Sequence, residues 1–173
     1  DEAPHFTVKR KLRAVASELG EYDAAALEAM HKNKTFTYEA YKDTTCLIEL
    51  DEEPIQSLDE NALNTALEVA GLLHSTIIPT LIPMRKTVID GSNTSGFQRT
   101  VLVALGGHVE LAHQRVGIQA LALEEDAARP VKKNESEPVY RLDRLGIPLI
   151  EIATEPVLFT PEEAKEAALK IGE

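Results

Sequence analysis

Apolar residues at Leu63, Leu67, Ala70 and Leu73 recur at helical spacing, which predicts the best-marked helix of the chain. Its start offers Ser57 followed by Glu60, or Asp59 alone, as the source of the side-chain oxygen that free backbone N–H groups need. A second helix is predicted from Thr160-Pro161-Glu162-Glu163 toward Ile171, because Thr160 can cap, Pro161 suits the first helical position and Glu163 completes a capping box. Residues 1–34 are charged and helix-prone, and the Ala-, Leu- and Glu-rich stretch 23–29 predicts a short helix.

Other stretches follow the pattern of strands. Residues 44–50 are β-branched and apolar; 76–82 and 85–90 read as strands broken at Pro79 and Pro83. Residues 97–105 predict a strand that turns at Gly106-Gly107, with 108–111 pairing back across the turn. Residues 115–123, 139–142 and 149–153 complete the set, and 132–138 reads as a polar loop. Hairpin-length connections outnumber helical crossovers. The expected fold is therefore α+β, a mostly antiparallel sheet with helices packed on one face.

Composition narrows the function classes. The 173 residues, 43% hydrophobic and 27% charged, suit one globular domain and exclude a fully disordered chain. No apolar run approaches the roughly 18 residues of a membrane span, so no membrane partner is expected. A net charge of −11 excludes a uniformly basic sheath for nucleic acid, though Lys9, Arg10, Lys11 and Arg13 form a local basic cluster. Cys46 is alone, so neither a disulfide framework nor a CxxC zinc site can form; it reads as a small core residue, and a reducing cytoplasm is the expected compartment. The start, Asp1-Glu2-Ala3-Pro4, has no signal-peptide pattern.

Five features bear on chemistry. Glu124-Glu125-Asp126 ends an apolar strand; adjacent carboxylates repel unless a cation offsets them, and such hard oxygen ligands suit Mg²⁺. Glu151 alternates with Ile150 and Ile152 and so faces away from them, either as plain solvent-facing polarity or as a further metal ligand. The loop Gly91–Gly96, with Ser92, Thr94 and Ser95 and flanked by Arg85, Lys86 and Arg99, is either a plain connection or a place where hydroxyls, backbone N–H groups and cations hold phosphate oxygens. It has no GxxxxGK[ST] order. Arg141 and Asp143 share one face of a predicted strand, with Arg144 beyond them, as a surface ion pair or an anion contact. The five histidines form no metal or triad spacing. Together these amount to two carboxylate sites and two basic, loop-associated sites, which is the kit for phosphoryl transfer.

Long runs at these same positions resemble a known family. The stretch 84–100 (MRKTVIDGSNTSGFQRT), Leu123-Glu124-Glu125-Asp126-Ala127-Ala128-Arg129, YRLDRLGIPLIEIATEP at 140–156, and Thr44-Thr45-Cys46-Leu47 followed by 49–54 are similar to the family of archaeal glutamyl-tRNA(Gln) amidotransferase E subunits. Shorter echoes, LEEDA and PLIEI, are similar to the bacterial B subunit. The resemblance spans nearly the whole chain. It implies an ATP- and Mg²⁺-dependent ligase that phosphorylates the γ-carboxylate of Glu-tRNA(Gln). Ammonia from an asparaginase-like partner, the amidotransferase D subunit, then gives Gln-tRNA(Gln). It also implies a cradle-shaped catalytic core of the glutamine synthetase and guanidino kinase type.

By motif match, Glu124 or Glu125 and Glu151 become metal ligands, with Glu125 and Glu151 catalytic. Arg85, Lys86, Ser92, Thr94, Ser95, Arg99, Arg141 and Arg144 become contacts to ATP or substrate. Proteins of this family begin with a strand bearing a Gly-Leu-Glu-Ile-His-like motif and continue into an aspartyl-tRNA synthetase-like insertion and helical and tail domains. Residues 1–173 show none of these. The expectation is part of the cradle domain, with half a catalytic site, weakly active or inactive alone. Two rivals remain open: a non-catalytic docking module for the amidotransferase complex, and an unrelated Mg²⁺-ATP domain acting on a small carboxylate.

Overall fold

A computed structural model describes residues 3–132 and 137–173. The chain divides into two compact units. The first comprises Asp1–Ser57, Arg85–Arg99 and Glu125–Ile147, and the second Leu58–Met84, Thr100–Glu124 and Pro148–Glu173.

The first unit is built on a four-stranded sheet. Strands β1 (Phe6–Lys11), β2 (Thr35–Ala40), β9 (Val139–Arg141) and β8 (Arg129–Lys132) lie in that order. β1–β2 and β8–β9 are antiparallel, whereas β2–β9 is parallel. β2 alternates strictly: Phe36, Tyr38 and Ala40 are buried while Thr35, Thr37 and Glu39 are half-buried. The inward residues join Leu12, Ala128, Tyr140 and Leu142 in one core. Helix α1 (Ala24–His31) starts at Asp23, whose carboxylate accepts from the Ala26 N–H at 2.9 Å.

Three expectations fail in this unit. The charged N-terminal stretch is strand β1 rather than helix, because Lys9, Arg10 and Lys11 point along an edge strand where charge is tolerated. Residues 44–50 form successive turns, not a strand. Local bonds compete with a ladder there: the Glu49 carboxylate accepts from the Cys46 N–H at 2.7 Å, and the Asp51 N–H reaches Ile48 O at 2.9 Å. Cys46 is consequently exposed rather than a core residue. β8 escaped the sequence pattern, and the polar-loop expectation at 132–138 falls partly on 133–136, outside the described residues.

In the second unit a sheet runs β10 (Pro148–Thr154), β7 (Arg115–Glu125), β5 (Phe97–Leu105), β3 (Thr76–Ile77), with β4 (Pro83–Thr87) pairing to β5 and β6 (His108–Glu110) to β7. β3, β5, β6 and β7 pair antiparallel. β6 therefore does not fold back on β5 as the Gly106-Gly107 signal suggested. Its register is His108 with Gly117 on β7. Helix α2 (Glu60–Leu72) is capped by Asp59, not Ser57, with Ala62 N–H donating at 2.7 Å. Its fully buried Ala66 and Ala70 pack with Leu73, Val103, Ile118 and Leu121. Ile150 and Ile152 pack against the same core while Glu151 is exposed, as alternation required.

Helix α3 (Pro161–Ile171) shows the predicted capping box: Thr160 Oγ1 accepts from Glu163 N–H at 3.2 Å, and the Glu163 carboxylate accepts from Phe159 N–H at 2.8 Å and Thr160 N–H at 3.0 Å. Those two backbone N–H bonds hold the Glu163 carboxyl below its ordinary range. The folded state thus prefers the charged form, so the stabilisation is present above the unfolded pKa and lost as pH falls through the folded one. Amide protection factors in the first turn of α3, corrected for intrinsic exchange, are expected to fall on acidification below about pH 4, and Glu163→Gln should remove that pH dependence.

The fold is thus mixed α and β with mostly antiparallel sheets, as expected, with two sheets in place of one. No helix among the described residues is long and apolar enough to cross a membrane.

Candidate functional site

The Gly91–Gly96 loop belongs to the first unit, and two tyrosines fix it from below. Tyr38 on β2 donates its hydroxyl to Gly91 O at 2.6 Å, and Tyr140 on β9 donates to Asp90 O at 2.8 Å. Their rings stack with centroids 6.1 Å apart. Gly91 has φ +85°, and a Cβ there would fall on the buried Phe36 ring. Gly96, at φ +79°, leaves only 2.6 Å between such a Cβ and Arg13 O. Both positions need glycine for conformation and for space.

Burial, followed by the proximity of Tyr140 and then Asp90, pushes the Tyr38 phenol well above its usual range, and burial, followed by Asp90, raises Tyr140. The folded state holds protons that the unfolded chain releases near pH 10, so this stabilisation is intact below about pH 10 and lost above it. An alkaline titration followed at the phenolate absorbance is expected to show late ionisation of these two residues, coincident with loss of tyrosine near-UV dichroism. Ordinary ionisation in a still-folded chain would contradict this.

Within the loop the hydroxyl protons are committed. Ser92 Oγ donates to Asp90 Oδ1 at 2.6 Å, Thr94 Oγ1 to Glu49 O at 2.8 Å and Ser95 Oγ to Phe97 O at 3.0 Å. The lone pairs of these oxygens are what the loop can still offer. Asn93 is 6% exposed, and its Oδ1 finds no hydrogen-bond donor among the described residues.

A cavity of about 500 Å³ opens beside the loop. Asn93, Thr94 and Ser95 line it with Arg99, Glu125 and Asp126, and Ile48, Ile55, Phe97 and Leu145 supply apolar walls. That volume is in the range of small-molecule sites. Arg99, 14% exposed, pairs with Glu125, 23% exposed, through Oε1, with Arg99 Nε at 3.0 Å. Glu125 Oε2 makes no bond among the described residues. A second cavity of about 340 Å³ is lined by Ser92, Arg129, Tyr140 and Arg144 and shares Asp126 as a wall. Asp126 Oδ2 accepts from Arg144 Nε at 2.9 Å.

The sequence-predicted residues thus fall into groups. Thr94, Ser95, Arg99 and Glu125 line the larger cavity; Ser92 and Arg144 line the smaller. Arg85, Lys86 and Arg141 line neither of these two. Arg85 lies over the Phe97 ring at 5.6 Å. Arg141 lies over the Tyr41 ring at 4.5 Å and pairs with Asp143 at 3.1 Å; the pair is mostly enclosed rather than at the surface, and Asp143 sits in a 3₁₀ turn rather than on the strand face expected to carry both. Glu124 and Glu151 belong to the second unit, where buried Glu124 accepts from Thr100 Oγ1 at 2.9 Å. No group of three or more His, Cys, Asp or Glu arranged to hold a metal exists among the described residues. Mg²⁺, however, takes one or two carboxylates and keeps its waters, and Glu125 Oε2 offers one oxygen of that kind.

Sequence reasoning missed Asn93, Asp126 as the wall common to both cavities, and the two anchoring tyrosines. The tyrosines were signalled only by the alternation of β2. Nothing in the sequence marked Asn93 as the buried member of a polar run.

Comparison with known proteins bears on this arrangement. The E subunit of glutamyl-tRNA(Gln) amidotransferase from Pyrobaculum aerophilum is 52% identical over 172 residues, covering 99% of this chain. The corresponding E subunit from Methanocaldococcus jannaschii is 53% identical over 173 residues, and that from Sulfurisphaera tokodaii 53% over 172. The chain spans 28% of the length of the first two relatives and 27% of the third. The sequence profile of the GatB/GatE catalytic domain matches residues 15–173, and the chain belongs to that family.

Proposed function

We propose that this chain is part of the cradle domain of an enzyme that converts Glu-tRNA(Gln) to Gln-tRNA(Gln) in two steps. The γ-carboxylate of the glutamyl group attacks the γ-phosphorus of ATP, forming an acyl phosphate and releasing ADP. Ammonia, delivered by the asparaginase-like D subunit of the amidotransferase, then attacks the carbonyl carbon and expels phosphate. ATP with Mg²⁺ supplies the leaving group and charge neutralisation that a carboxylate needs to become an acyl donor. The observation that carries the reading is the Arg99–Glu125 pair on the wall of the larger cavity, a cation and a carboxylate oxygen set side by side in the unit that also holds the loop.

In this reading Glu125 presents Oε2 to the metal, and Arg99 holds Oε1 and offsets anionic charge as two anions approach. Glu151, and Glu124 as the alternative to Glu125, supply further carboxylate oxygens. Arg144 and Ser92 serve anionic groups from the smaller cavity. Arg85, Lys86 and Arg141 extend the cationic character of the unit. Thr94 and Ser95 contact the nucleotide or substrate. The glutamine synthetase-like core and a cytoplasmic setting belong to the same reading.

Hydroxylamine trapping tests it in the full-length protein assembled with its partners. With Glu-tRNA(Gln) and Mg²⁺-ATP but no ammonia source, the γ-glutamyl hydroxamate should form together with ADP. Absence of hydroxamate in an assembly that still makes Gln-tRNA(Gln) from ammonia would refute the acyl phosphate.

A further inference from the structure

We infer that the smaller cavity of the first unit is a site for a singly charged anion with two terminal oxygens, gripped by Arg129 together with Arg144, and that this anion belongs to the aminoacylated RNA rather than to the nucleotide. Arg129 carries no role in the reading above. It stands on β8, and Arg144 ends the 3₁₀ turn Leu142–Arg144 that follows β9, yet both side chains line the same cavity of about 340 Å³. They are 41% and 52% exposed, so a ligand arriving from solvent can meet them.

Each guanidinium is tied down on one side and vacant on another. Arg129 gives Nη2 to Asp143 at 3.4 Å, and its Nε and Nη1 have no acceptor among the described residues. Arg144 gives Nε, at 2.9 Å, and Nη2 to Asp126, which leaves Nη1 without an acceptor among the described residues. The acids of the lining are in the opposite condition. Asp126 Oδ1 accepts from the Ala127 N–H at 2.9 Å and Oδ2 from Arg144, and Asp90 Oδ1 accepts from the Ser92 N–H at 2.9 Å. What the cavity calls for is an acceptor. A planar guanidinium fork matches the two oxygens of one carboxylate or one phosphodiester.

Charge sets the class of ligand. Arg129 and Arg144 balance Asp90 and Asp126, the other charged residues of the lining. A triphosphate would bring several charges that nothing there offsets, whereas one negative charge spread over two oxygens is held by charge-assisted hydrogen bonds. The volume agrees, since about 340 Å³ lies near the lower end for small-molecule sites. A carboxylate and a phosphodiester share this chemistry. Under the proposed function one substrate carries both, as the γ-carboxylate of its glutamyl group and the phosphodiesters of its RNA. The inference deepens that reading and rests on it for the identity of the substrate. Asp126 is a wall of both cavities, so an anion held here lies beside the cavity that contains Arg99 and Glu125.

The test is an NMR titration of the 173-residue chain, followed at the arginine Nε–H and backbone amide signals. The probes are N-acetyl-L-glutamic acid α-methyl ester, which carries the γ-carboxylate alone, its uncharged γ-amide counterpart, dimethyl phosphate and Mg²⁺-ATP. At least one of the two singly charged anions should shift the Arg129 and Arg144 Nε–H signals. It should bind about tenfold or more tighter than the amide, the ratio expected for one charge-assisted hydrogen bond. The tighter of the two identifies the source of the anion. Arg129→Met and Arg144→Met should each weaken that probe about tenfold. Arg129→Lys, which keeps the charge and loses the fork, should recover only part of the loss. Arg115→Met, which alters an exposed pair in the second unit, should leave affinity within about twofold.

Failure of both anions to bind the folded chain, binding of the amide equal to that of the anions, or unchanged affinity in both methionine variants would each overturn the inference. So would Mg²⁺-ATP that shifts the Arg129 and Arg144 signals at lower concentration than either anion, because the cavity would then be the nucleotide's. The two readings fail separately. Anion binding at these arginines in a chain that ignores Mg²⁺-ATP would sink the nucleotide part of the proposed function alone. Mg²⁺-ATP that shifts residues of the larger cavity, in a chain indifferent to both anions, would sink only the site at Arg129 and Arg144.

Discussion

Replacing Gly91 with alanine is expected to destabilise the first unit by about 3 kcal/mol. The left-handed φ of +85° costs an L-residue about 1–2 kcal/mol. The new methyl falls on the Phe36 ring, itself 2% exposed, and overpacking a filled core costs about 1–3 kcal/mol. Relief by moving the loop would break the Tyr38–Gly91 and Tyr140–Asp90 hydrogen bonds. The chain has no tryptophan, and all four tyrosines, at 22, 38, 41 and 140, fall in the first unit. Tyrosine near-UV dichroism therefore reports that unit separately. Its urea midpoint should drop by about 1–3 M, given a slope of about 1–3 kcal/mol per molar. A shift of only a few tenths of a molar would mean that Phe36 and the loop adjust freely.

The second large effect concerns Arg99 and Glu125. Both are mostly enclosed, so removing one partner strands a charge in the other. Glu125→Gln keeps the shape and the Arg99 contact but removes the anionic oxygen proposed for Mg²⁺. Arg99→Met keeps the volume and leaves Glu125 without its cation. Each should lower Glu-tRNA-dependent ATP turnover of the assembled enzyme by about a hundredfold or more, the scale found for single groups that stabilise developing charge. Arg115→Ala, which disrupts an exposed pair with Glu110, should leave turnover within twofold. Turnover equal to that of the unaltered enzyme in both cavity variants would remove the pair from the chemistry.

Much of the fold was legible because the decisive signals were local. The Thr160–Glu163 capping box and the Asp59 cap sit within a few residues of the helices they start. The alternation around Glu151 correctly set its face. What failed depended on a local side-chain bond that composition does not reveal, or on partners distant in the chain. Residues 44–50 have strand composition, yet Glu49 turns back on Cys46 and ties the segment into turns. β6 follows a glycine pair on β5 yet finds its ladder on β7, a choice that no hairpin signal contains. β1 carries a basic run that resembles a solvated helix until Phe36 and Tyr38 opposite it are seen as core.

The site was legible in kind and not in detail. The polar loop, its flanking cations and the carboxylate run were all visible by type. Whether a hydroxyl donates or accepts was not, because that depends on Glu49 O, 45 residues from Thr94. The burial of Asn93 was equally hidden, since its immediate neighbours in the chain are all small and polar.

The most direct test of the nucleotide site is calorimetric titration of the chain with Mg²⁺-ATP, beside Glu125→Gln and Glu151→Gln, with folding of each verified by circular dichroism. The account predicts saturable binding that both substitutions weaken by tenfold or more. Failure of the folded, unaltered chain to bind Mg²⁺-ATP, or equal binding by all three proteins, would contradict it.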